Sequence, residues 1–363
     1  MRIAYGVHGY GRGHAMRAMA VLPELARRHE VLVLAGDDAY AALAGDYTVV
    51  PIPTLTFVMK PDGRRSRLGT IRRNLPGLID LKLNGPVCDL VAAAIRAFDP
   101  DVIVSDSEPW THHVARRLKI PRISFDHFAI LAYCDWPMGW RDRVRCGFET
   151  MTYRQLMGDP QRLVVASFFQ APPRRDGIAI VGPVLRPQVR ELAASDGDHL
   201  LVYFSNGQKN YSPQVHDALQ RLDRPVRVYG TARAGGEGNV EFRPISQTRF
   251  LADLAGCHAV FATAGNQLIS EAMHFGKPLL LMPEDSLEQR LNAATVQRLA
   301  YGLHAPRRTV SAPLIERFLA SRPAFAANLH TAARDGAAEA VAAIERFAEE
   351  LAGGNRGECR TPK

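Results

Sequence analysis

A glycine-rich stretch near the start of the chain carries the first side chain that could do chemistry. The residues His8–His14 include Gly9, Gly11 and Gly13, and they lead into a helical apolar pattern. Glycines allow close backbone approach, and the amino end of a helix disfavours an imidazolium. His14 is therefore a candidate general base near neutral pH.

A second stretch, Val260–Asn292, predicts a site for a phosphate group. Its apolar run ends at Thr263, turns at Ala264-Gly265 and continues with helical spacing before another apolar run. A strand, a glycine turn and a helix leave backbone N–H groups and the positive helix end facing a ligand. Glu271 is placed near that end to accept hydrogen bonds from a ribose diol. Further polar residues, among them Glu288 and Gln289, crowd the next strand end and suit a polyhydroxylated ligand.

Strand and helix patterns alternate along the 363 residues, and the alternation restarts in the second half of the chain. Each half therefore supplies the elements that position one of these two stretches. We predict an α/β protein with two Rossmann-like domains that face each other across a cleft. The expected first domain is residues 1–183, the second is 184–352, and 353–363 form a disordered tail. The amphipathic pattern of Ala337–Leu351 favours packing against the first domain.

The second stretch resembles the donor-binding signature of glycosyltransferases with the two-domain GT-B fold. The residues that carry the resemblance are Gly265, Glu271, Gly276, Pro278, Pro283, Gln289 and Asn292. It is similar to the family of the lipid I N-acetylglucosaminyltransferase and to the plant and antibiotic-tailoring families. Thr263 and Asn266 replace residues of the plant signature, and Glu288-Gln289 replaces Asp-Gln.

The resemblance implies an inverting, metal-independent hexosyltransferase that needs no cofactor and uses a nucleotide-diphosphate sugar, with uridine as the expected base. In the related families the histidine of the first loop removes the acceptor's proton, which here is His14. Asp106 resembles the carboxylate that orients this histidine. We assign donor binding to Gly11, Gly13, Ser205, Asn206, Gly207, Ile245, Thr263, Ala264, Gly265, Asn266, Gln267, Glu271, Glu288 and Gln289.

Several alternatives stay open from the sequence. Asp106 could be a helix N-cap before Pro109, and Asp126-His127 is a competing pair at another strand end. The loop Gly11–Arg17 also resembles a nucleotide-sugar hydrolase, so a hydrolase or epimerase on the same fold is the alternative function. A dinucleotide-binding oxidoreductase is disfavoured, because the third glycine of its fingerprint would fall at His14.

The composition limits the classes of partner and the cellular compartment that fit this chain. The formal charge of +8 favours an acidic partner, but no nucleic-acid-binding motif accompanies it. The five cysteines are scattered and contain no C-x-x-C, which favours a reducing compartment. No apolar run is long enough to span a membrane. We therefore expect a cytoplasmic protein, with peripheral contact at the inner membrane surface as a further interpretation.

Two segments leave the acceptor open between a small molecule, a lipid and a polysaccharide precursor. The segment Leu55–Leu83 mixes basic and apolar residues, which predicts either a solvated loop and helix or a surface that docks on anionic lipid or binds an acidic acceptor. The aromatic-rich segment Asp135–Met157 is predicted to be mainly helical, and its aromatic side chains either line a pocket or pack in the core.

Overall fold

The computed structural model describes residues 1–10, 12–58, 66–205, 207–330 and 335–358. These residues divide into two compact units. The first contains Met1–Val58, Ser66–Arg186 and the segment that begins at Gly336, and the second contains Pro187–Asp335. Within the described ranges, no helix combines the length and apolar character needed to cross a bilayer.

The first unit is built on a parallel sheet whose strands are covered by helices. The seven strands within the described ranges follow the order β3-β2-β1-β4-β5-β6-β7. The elements up to the end of this sheet are β1 (Arg2–Val7), α1 (Arg12–Arg28), β2 (Glu30–Ala35), α2 (Asp37–Leu43), β3 (Val49–Pro51), α3 (Arg67–Leu83), α4 (Pro86–Phe98), β4 (Val102–Asp106), α5 (Pro109–Leu118), β5 (Arg122–Asp126), α6 (Ala129–Tyr133), α7 (Trp140–Met157), β6 (Arg162–Ala166) and β7 (Ile178–Val181).

The central strands of this sheet are buried on both faces, as a parallel sheet requires. Val102–Asp106 is buried at every position, and Val7 of β1 lies opposite Asp106 of β4 in the register. The order of the strands reverses at β1 and β4. The first loop, which follows β1, and the end of β4 therefore meet at the edge where open α/β sheets bind ligands.

The second unit repeats this design. Its described strands follow the order β10-β11-β9-β8-β12-β13-β14, parallel except for the β10–β11 pair. Its elements are α8 (Pro187–Glu191), β8 (Leu200–Tyr203), α9 (Gly207–Asn210), α10 (Pro213–Gln220), β9 (Val226–Tyr229), β10 (Gly235–Glu237), β11 (Val240–Arg243), α11 (Gln247–Ala255), β12 (Ala259–Ala262), α12 (Asn266–His274), β13 (Leu279–Leu281), α13 (Leu287–Arg298), β14 (Gly302–His304), a 3-10 turn (Arg307–Thr309), α14 (Ala312–Ala320) and α15 (Arg322–His330).

The last helix, α16 (Ala337–Glu358), belongs to the first unit, so the expected range 184–352 for the second domain ends too late. Its residues Ala340, Ile344 and Phe347 have helical spacing and pack in the same core as β1 and β4. Glu345 also pairs with Arg28 and His29. Residues 353–358 continue the helix and are not the expected tail, whereas 359–363 lie outside the described residues.

Candidate active site

The first loop places His14 in the opening turn of α1. A Cβ on Gly9 would lie 2.3 Å from the carbonyl oxygen of Gly36 and from the Thr54 hydroxyl, so only glycine fits there. A Cβ on Gly13 would meet nothing within 4 Å, so packing does not require that glycine. Gly11 lies outside the described residues.

Asp106 and His14 are joined directly. The Nδ1 atom of His14 lies 2.7 Å from Oδ1 of Asp106, although 92 positions separate the two residues in sequence. Asp106 is fully buried, whereas the His14 side chain is 25% exposed. Because a carboxylate only accepts hydrogen bonds, the proton of this bond lies on Nδ1. The other ring nitrogen, Nε2, is then free to accept a proton.

The N-cap interpretation of Asp106 is wrong, because Glu108 is the residue that caps α5. The Glu108 carboxylate accepts hydrogen bonds from the backbone N–H groups of Trp110 at 3.0 Å and Thr111 at 2.6 Å. Burial raises the pKa of Glu108 to about 7. Ser107, between the two acids, has a left-handed φ of 50° that turns the chain from β4 into this cap.

Arg17 completes the group around His14 and was not among the site residues assigned from sequence. Its Nε donates to Oδ2 of Asp106 at 2.8 Å, and its Nη2 donates to Oδ1. Burial alone would raise the pKa of Asp106, but the charge of Arg17, followed by that of His14, holds it below its ordinary value. The signal in the sequence is the spacing, because residues three apart share a helix face.

The competing pair Asp126-His127 makes separate bonds. Asp126 accepts hydrogen bonds from the Ala129 backbone at 2.7 Å and from the Tyr153 hydroxyl at 2.5 Å, and it is buried. Nδ1 of His127 lies 2.8 Å from the carbonyl oxygen of Ala166 and donates to it. These contacts indicate that Asp126 and His127 stabilise the loop after β5.

In the second unit, Gly265 is the N-cap of α12, and its φ of −71° is ordinary. A Cβ there would meet nothing within 4 Å, so packing does not require a glycine at this position. Thr263, at the preceding strand end, has its hydroxyl 3.3 Å from the Ser205 backbone nitrogen and 3.1 Å from the Ser205 hydroxyl. The ends of β8 and β12 are therefore linked beside a helix N-terminus that can bind an anion.

Gln289 holds this same region together. Its Oε1 accepts hydrogen bonds from the backbone N–H groups of Ala264 at 3.2 Å and Glu284 at 2.9 Å. Glu284, which the sequence assignment left out, also accepts from Ser205 at 3.1 Å and from Asn210 at 2.7 Å. The sequence carries no local signal for this role of Glu284, because its partners lie 79 and 74 positions away.

The other assigned donor residues occupy different settings. Glu271 is buried, and its Oε1 accepts a hydrogen bond from Gln267 at 2.9 Å. Oδ1 of Asn266 is buried and has no hydrogen-bond partner among the described residues. Ile245 is exposed in the loop between β11 and α11, and Glu288 lies partly exposed in the first turn of α13.

Gly207 begins α9, where a Cβ would lie 2.0 Å from the Gly230 carbonyl oxygen. Asn206 lies outside the described residues. Over the described part of the chain, no group of three or more His, Cys, Asp or Glu side chains could hold a metal ion. That the reaction needs no metal stays a prediction.

Two helices of the first unit expose apolar side chains. On α3 the stripe consists of Leu68, Ile71, Leu75, Ile79 and Leu83, and on α7 it consists of Trp140, Val144, Phe148 and Met151. Trp140 is 72% exposed, so the core interpretation is wrong for this stripe, although it holds for the buried Tyr153. Part of the basic segment, residues 59–65, lies outside the described residues.

Solved structures with similar folds are glycosyltransferases. The glycotransferase of kitacinnamycin has a TM-score of 0.71 and 19% identity, covering 95% of this chain and 98% of its own. UGT89C1 of Arabidopsis thaliana, complexed with UDP-L-rhamnose, has a TM-score of 0.67 and 16% identity, covering 97% and 98%. These likenesses confirm the GT-B fold.

Sequence relatives extend over the same length. The UDP-N-acetylglucosamine–N-acetylmuramyl-(pentapeptide) pyrophosphoryl-undecaprenol N-acetylglucosamine transferase of Methylorubrum extorquens (strain PA1) is 25% identical over 366 residues, covering 92% of this chain and 94% of its own. An uncharacterized glycosyltransferase of Methanosarcina mazei is 23% identical, with coverages of 83% and 85%. The pattern of glycosyl transferase family 1 matches residues 1–323. The chain therefore belongs to glycosyl transferase family 1 and is a glycosyltransferase.

Proposed function

We propose that this glycosyltransferase moves a sugar from a UDP-sugar to an acceptor hydroxyl, with inversion at the anomeric carbon and His14 as the general base. The observation that carries the proposal is the 2.7 Å contact between His14 and the buried Asp106 at the carboxyl end of the first sheet. The names of similar proteins support a uridine donor, since one uses UDP-N-acetylglucosamine and another binds UDP-L-rhamnose.

In the proposed reaction, Nε2 of His14 takes the proton of the acceptor hydroxyl as its oxygen bonds to the anomeric carbon. The bond between that carbon and the diphosphate oxygen breaks, and the electron pair leaves with the diphosphate. Asp106 keeps the imidazole in the required tautomer and stabilises the imidazolium that forms. Backbone N–H groups at the start of α12 stabilise the charge on the leaving diphosphate.

A nucleotide-sugar panel followed by thermal shift tests the donor, because a bound ligand raises the melting temperature by mass action. We expect UDP-sugars to raise it more than other nucleotide sugars, and equal shifts for all would contradict the uridine assignment. His14→Ala should lower turnover by at least about a hundredfold and leave donor affinity unchanged. Turnover near wild type would remove His14 from the role of base.

The hydrolase alternative is separated by the acceptor. Transfer predicts that nucleotide release from the donor rises when acceptor-containing cell extract is added, and that a glycosylated product forms. Release that is equally fast in buffer alone, with free sugar as the only product, would establish a hydrolase. For the His14→Ala variant, the control is Glu24→Gln, an exposed change on the same helix α1 that tests for general damage to that helix.

The proposal also extends to the class of acceptor and to the surface at which the enzyme meets it. The apolar stripes of α3 and α7 are flanked by Arg72 and Lys82 on one helix and by Arg141 and Arg143 on the other. Such faces favour an amphiphilic acceptor presented at an anionic membrane surface. The relative from Methylorubrum, whose name specifies a pyrophosphoryl-undecaprenol acceptor, supports this choice.

A further inference from the structure

The guanidinium of Arg17 and the carboxylate of Asp106 form a pair inside the first unit. Arg17 is 7% exposed, and Asp106 is not exposed at all. The two bonds run from Nε to Oδ2 and from Nη2 to Oδ1, so both carboxylate oxygens are held. A planar guanidinium that bonds both oxygens fixes the rotation of the carboxylate. The orientation of Oδ1 toward His14 is therefore set by Arg17.

The same oxygen serves two donors. Oδ1 accepts from Nη2 of Arg17 and from Nδ1 of His14, and these two nitrogen atoms lie 2.9 Å apart. A guanidinium nitrogen carries hydrogen in every state, and Nδ1 carries the proton that points to Asp106. When His14 becomes protonated, the imidazolium and the guanidinium are two cations that share one carboxylate. The repulsion between them opposes the attraction of Asp106.

Of the other groups around this cluster, His8 and Tyr5 are neutral, whereas Asp126 adds a further negative charge near Arg17. The His8 ring meets the His14 ring edge-on at 5.2 Å, and burial, followed by the charge of His14, lowers the pKa of His8 to about 3, so His8 is neutral. Tyr5 is buried beside Asp106 and Arg17, and burial, followed by the charge of Asp106, raises the pKa of its hydroxyl, so Tyr5 is neutral as well. The charge of Asp126 attracts the Arg17 guanidinium. The central carbon of that guanidinium lies 5.4 Å from the centroid of the Phe125 ring.

We propose that Arg17 is a positioning residue of the reaction: it fixes the carboxylate of Asp106 in the orientation that meets Nδ1 of His14, and its charge offsets the attraction of that carboxylate for an imidazolium. This inference rests on the proposed function, because it presumes that His14 is the base. Asp106 without Arg17 would hold the imidazolium more tightly. A more stable imidazolium leaves less of the free base at neutral pH.

The test is a pH titration of the His14 ring by 15N NMR on the full chain, with His14→Gln used to identify its signals among the 12 histidines. Arg17→Gln removes the charge but retains a side-chain N–H donor, and Arg17→Lys keeps the charge on a single nitrogen without the two-nitrogen fork of the guanidinium. We expect the titration midpoint of Arg17→Gln to rise by about one pH unit relative to the wild type, and that of Arg17→Lys to stay close to it. Arg28→Gln, on the exposed side of the same helix, is the control and should leave the midpoint unchanged.

Turnover gives the second readout, measured across pH as the UDP release from UDP-N-acetylglucosamine that depends on added acceptor-containing cell extract. The acid limb of the profile should move to higher pH in Arg17→Gln, and the plateau of Arg17→Lys should fall about tenfold because one oxygen of Asp106 is no longer held. A midpoint in Arg17→Gln equal to the wild type would overturn the proposal and leave Arg17 a structural role. If Arg17→Gln does not fold, wild-type turnover in Arg17→Lys overturns it.

Failure of this inference and failure of the proposed function give different results. The NMR midpoint is measured without a substrate, so it tests Arg17 even if the enzyme acts on another donor. Full turnover in His14→Ala would remove the proposed base. If Arg17→Gln has the midpoint of the wild type and His14→Ala is inactive, the assignment of His14 as the base stands. Only the positioning role of Arg17 is then refuted.

Discussion

The side-chain oxygen of Gln289 accepts a hydrogen bond from the backbone N–H of Ala264 at 3.2 Å, which joins the first turn of α13 to the loop between β12 and α12. The same oxygen accepts from the Glu284 backbone, and Asn292, one turn further along α13, donates to the Ala264 carbonyl at 3.0 Å. The amide oxygen of Gln289 therefore has partners within the protein. Gln289 therefore fixes the loop at the start of α12, and we propose that it supports donor binding in this way.

Gln289→Ala should weaken binding of a UDP-sugar about tenfold, because two backbone N–H groups lose their acceptor and the loop at the helix N-terminus is no longer fixed. The dissociation constant measured by calorimetry checks this. Arg298→Ala, in the last turn of the same helix and exposed, is the matched control and should bind as the wild type does. Wild-type affinity in Gln289→Ala would mean that the loop keeps its shape without the side chain.

A second prediction concerns the stability of the buried pair. Asp106→Asn leaves the guanidinium of Arg17 buried without a carboxylate, and the free energy of unfolding should fall by about 3 kcal/mol or more. Arg17→Met in the same chain removes the stranded charge, so the double variant should be less destabilised than the sum of the two single variants. Urea denaturation of the four proteins forms the cycle. Additive effects would mean that the two groups do not stabilise each other.

The sequence predicts the scaffold of this site well, because the relevant signals are local. Apolar runs that end in glycine loops predict the strands and turns around His14 and Gly265, and the structure has them at these positions. The sequence left open whether Asp106 caps α5, because two acids stand within three residues and only the left-handed turn at Ser107 decides that Glu108 is the cap.

What sequence could not predict depends on contacts between distant segments. Arg17 and Asp106 are 89 positions apart, and Ser205 and Glu284 are 79 apart, so neither pair leaves a pattern along the chain. Exposure of the α7 stripe was equally hidden, because Trp140, Phe148 and Met151 have the helical spacing of a core-facing face. Only packing decides whether such a face is covered.

A third prediction concerns acid stability and His112. This residue is fully buried, neither ring nitrogen has a hydrogen-bond partner among the described residues, and burial, followed by the charge of Arg122, lowers the pKa of His112 to about 3. Between pH 6.5 and about 3 the unfolded chain binds more protons at this residue than the folded chain does. The residue's contribution to stability is therefore present above pH 6.5 and falls with pH through this window, by about 1.4 kcal/mol per unit.

His112→Leu should reduce the loss of stability between pH 6.5 and pH 4.5, and the melting temperature at each pH measures it. Some loss remains because His8 has the same direction of pKa shift. His330→Leu is the control, since His330 is exposed in the last turn of α15 and should leave the acid profile unchanged. An acid profile of His112→Leu identical to that of the wild type would show that His112 does not titrate in this window.

The last prediction concerns the exposed stripe of α3. The stripe has Arg72 and Lys82 at its sides, and the single acid of this helix, Asp80, is buried and accepts a hydrogen bond from Trp110. An apolar face with cations and no exposed acid favours the interface of an anionic bilayer. We expect the protein to sediment with vesicles that contain phosphatidylglycerol and to remain in solution with phosphatidylcholine alone.

Changing the charges and the apolar contacts separately distinguishes the two contributions. Arg72→Gln with Lys82→Gln should weaken binding to the anionic vesicles about thirtyfold, since each basic residue near such a surface contributes about 1 kcal/mol. Leu75→Ser with Ile79→Ser should weaken it as well, but without changing its dependence on salt. Leu90→Ser, an equally exposed leucine on α4, is the control and should bind like the wild type. Binding that ignores all of these changes would place the membrane contact elsewhere, whereas binding lost only in the charge variant would reduce α3 to an electrostatic contact, because its apolar side chains would then not enter the bilayer.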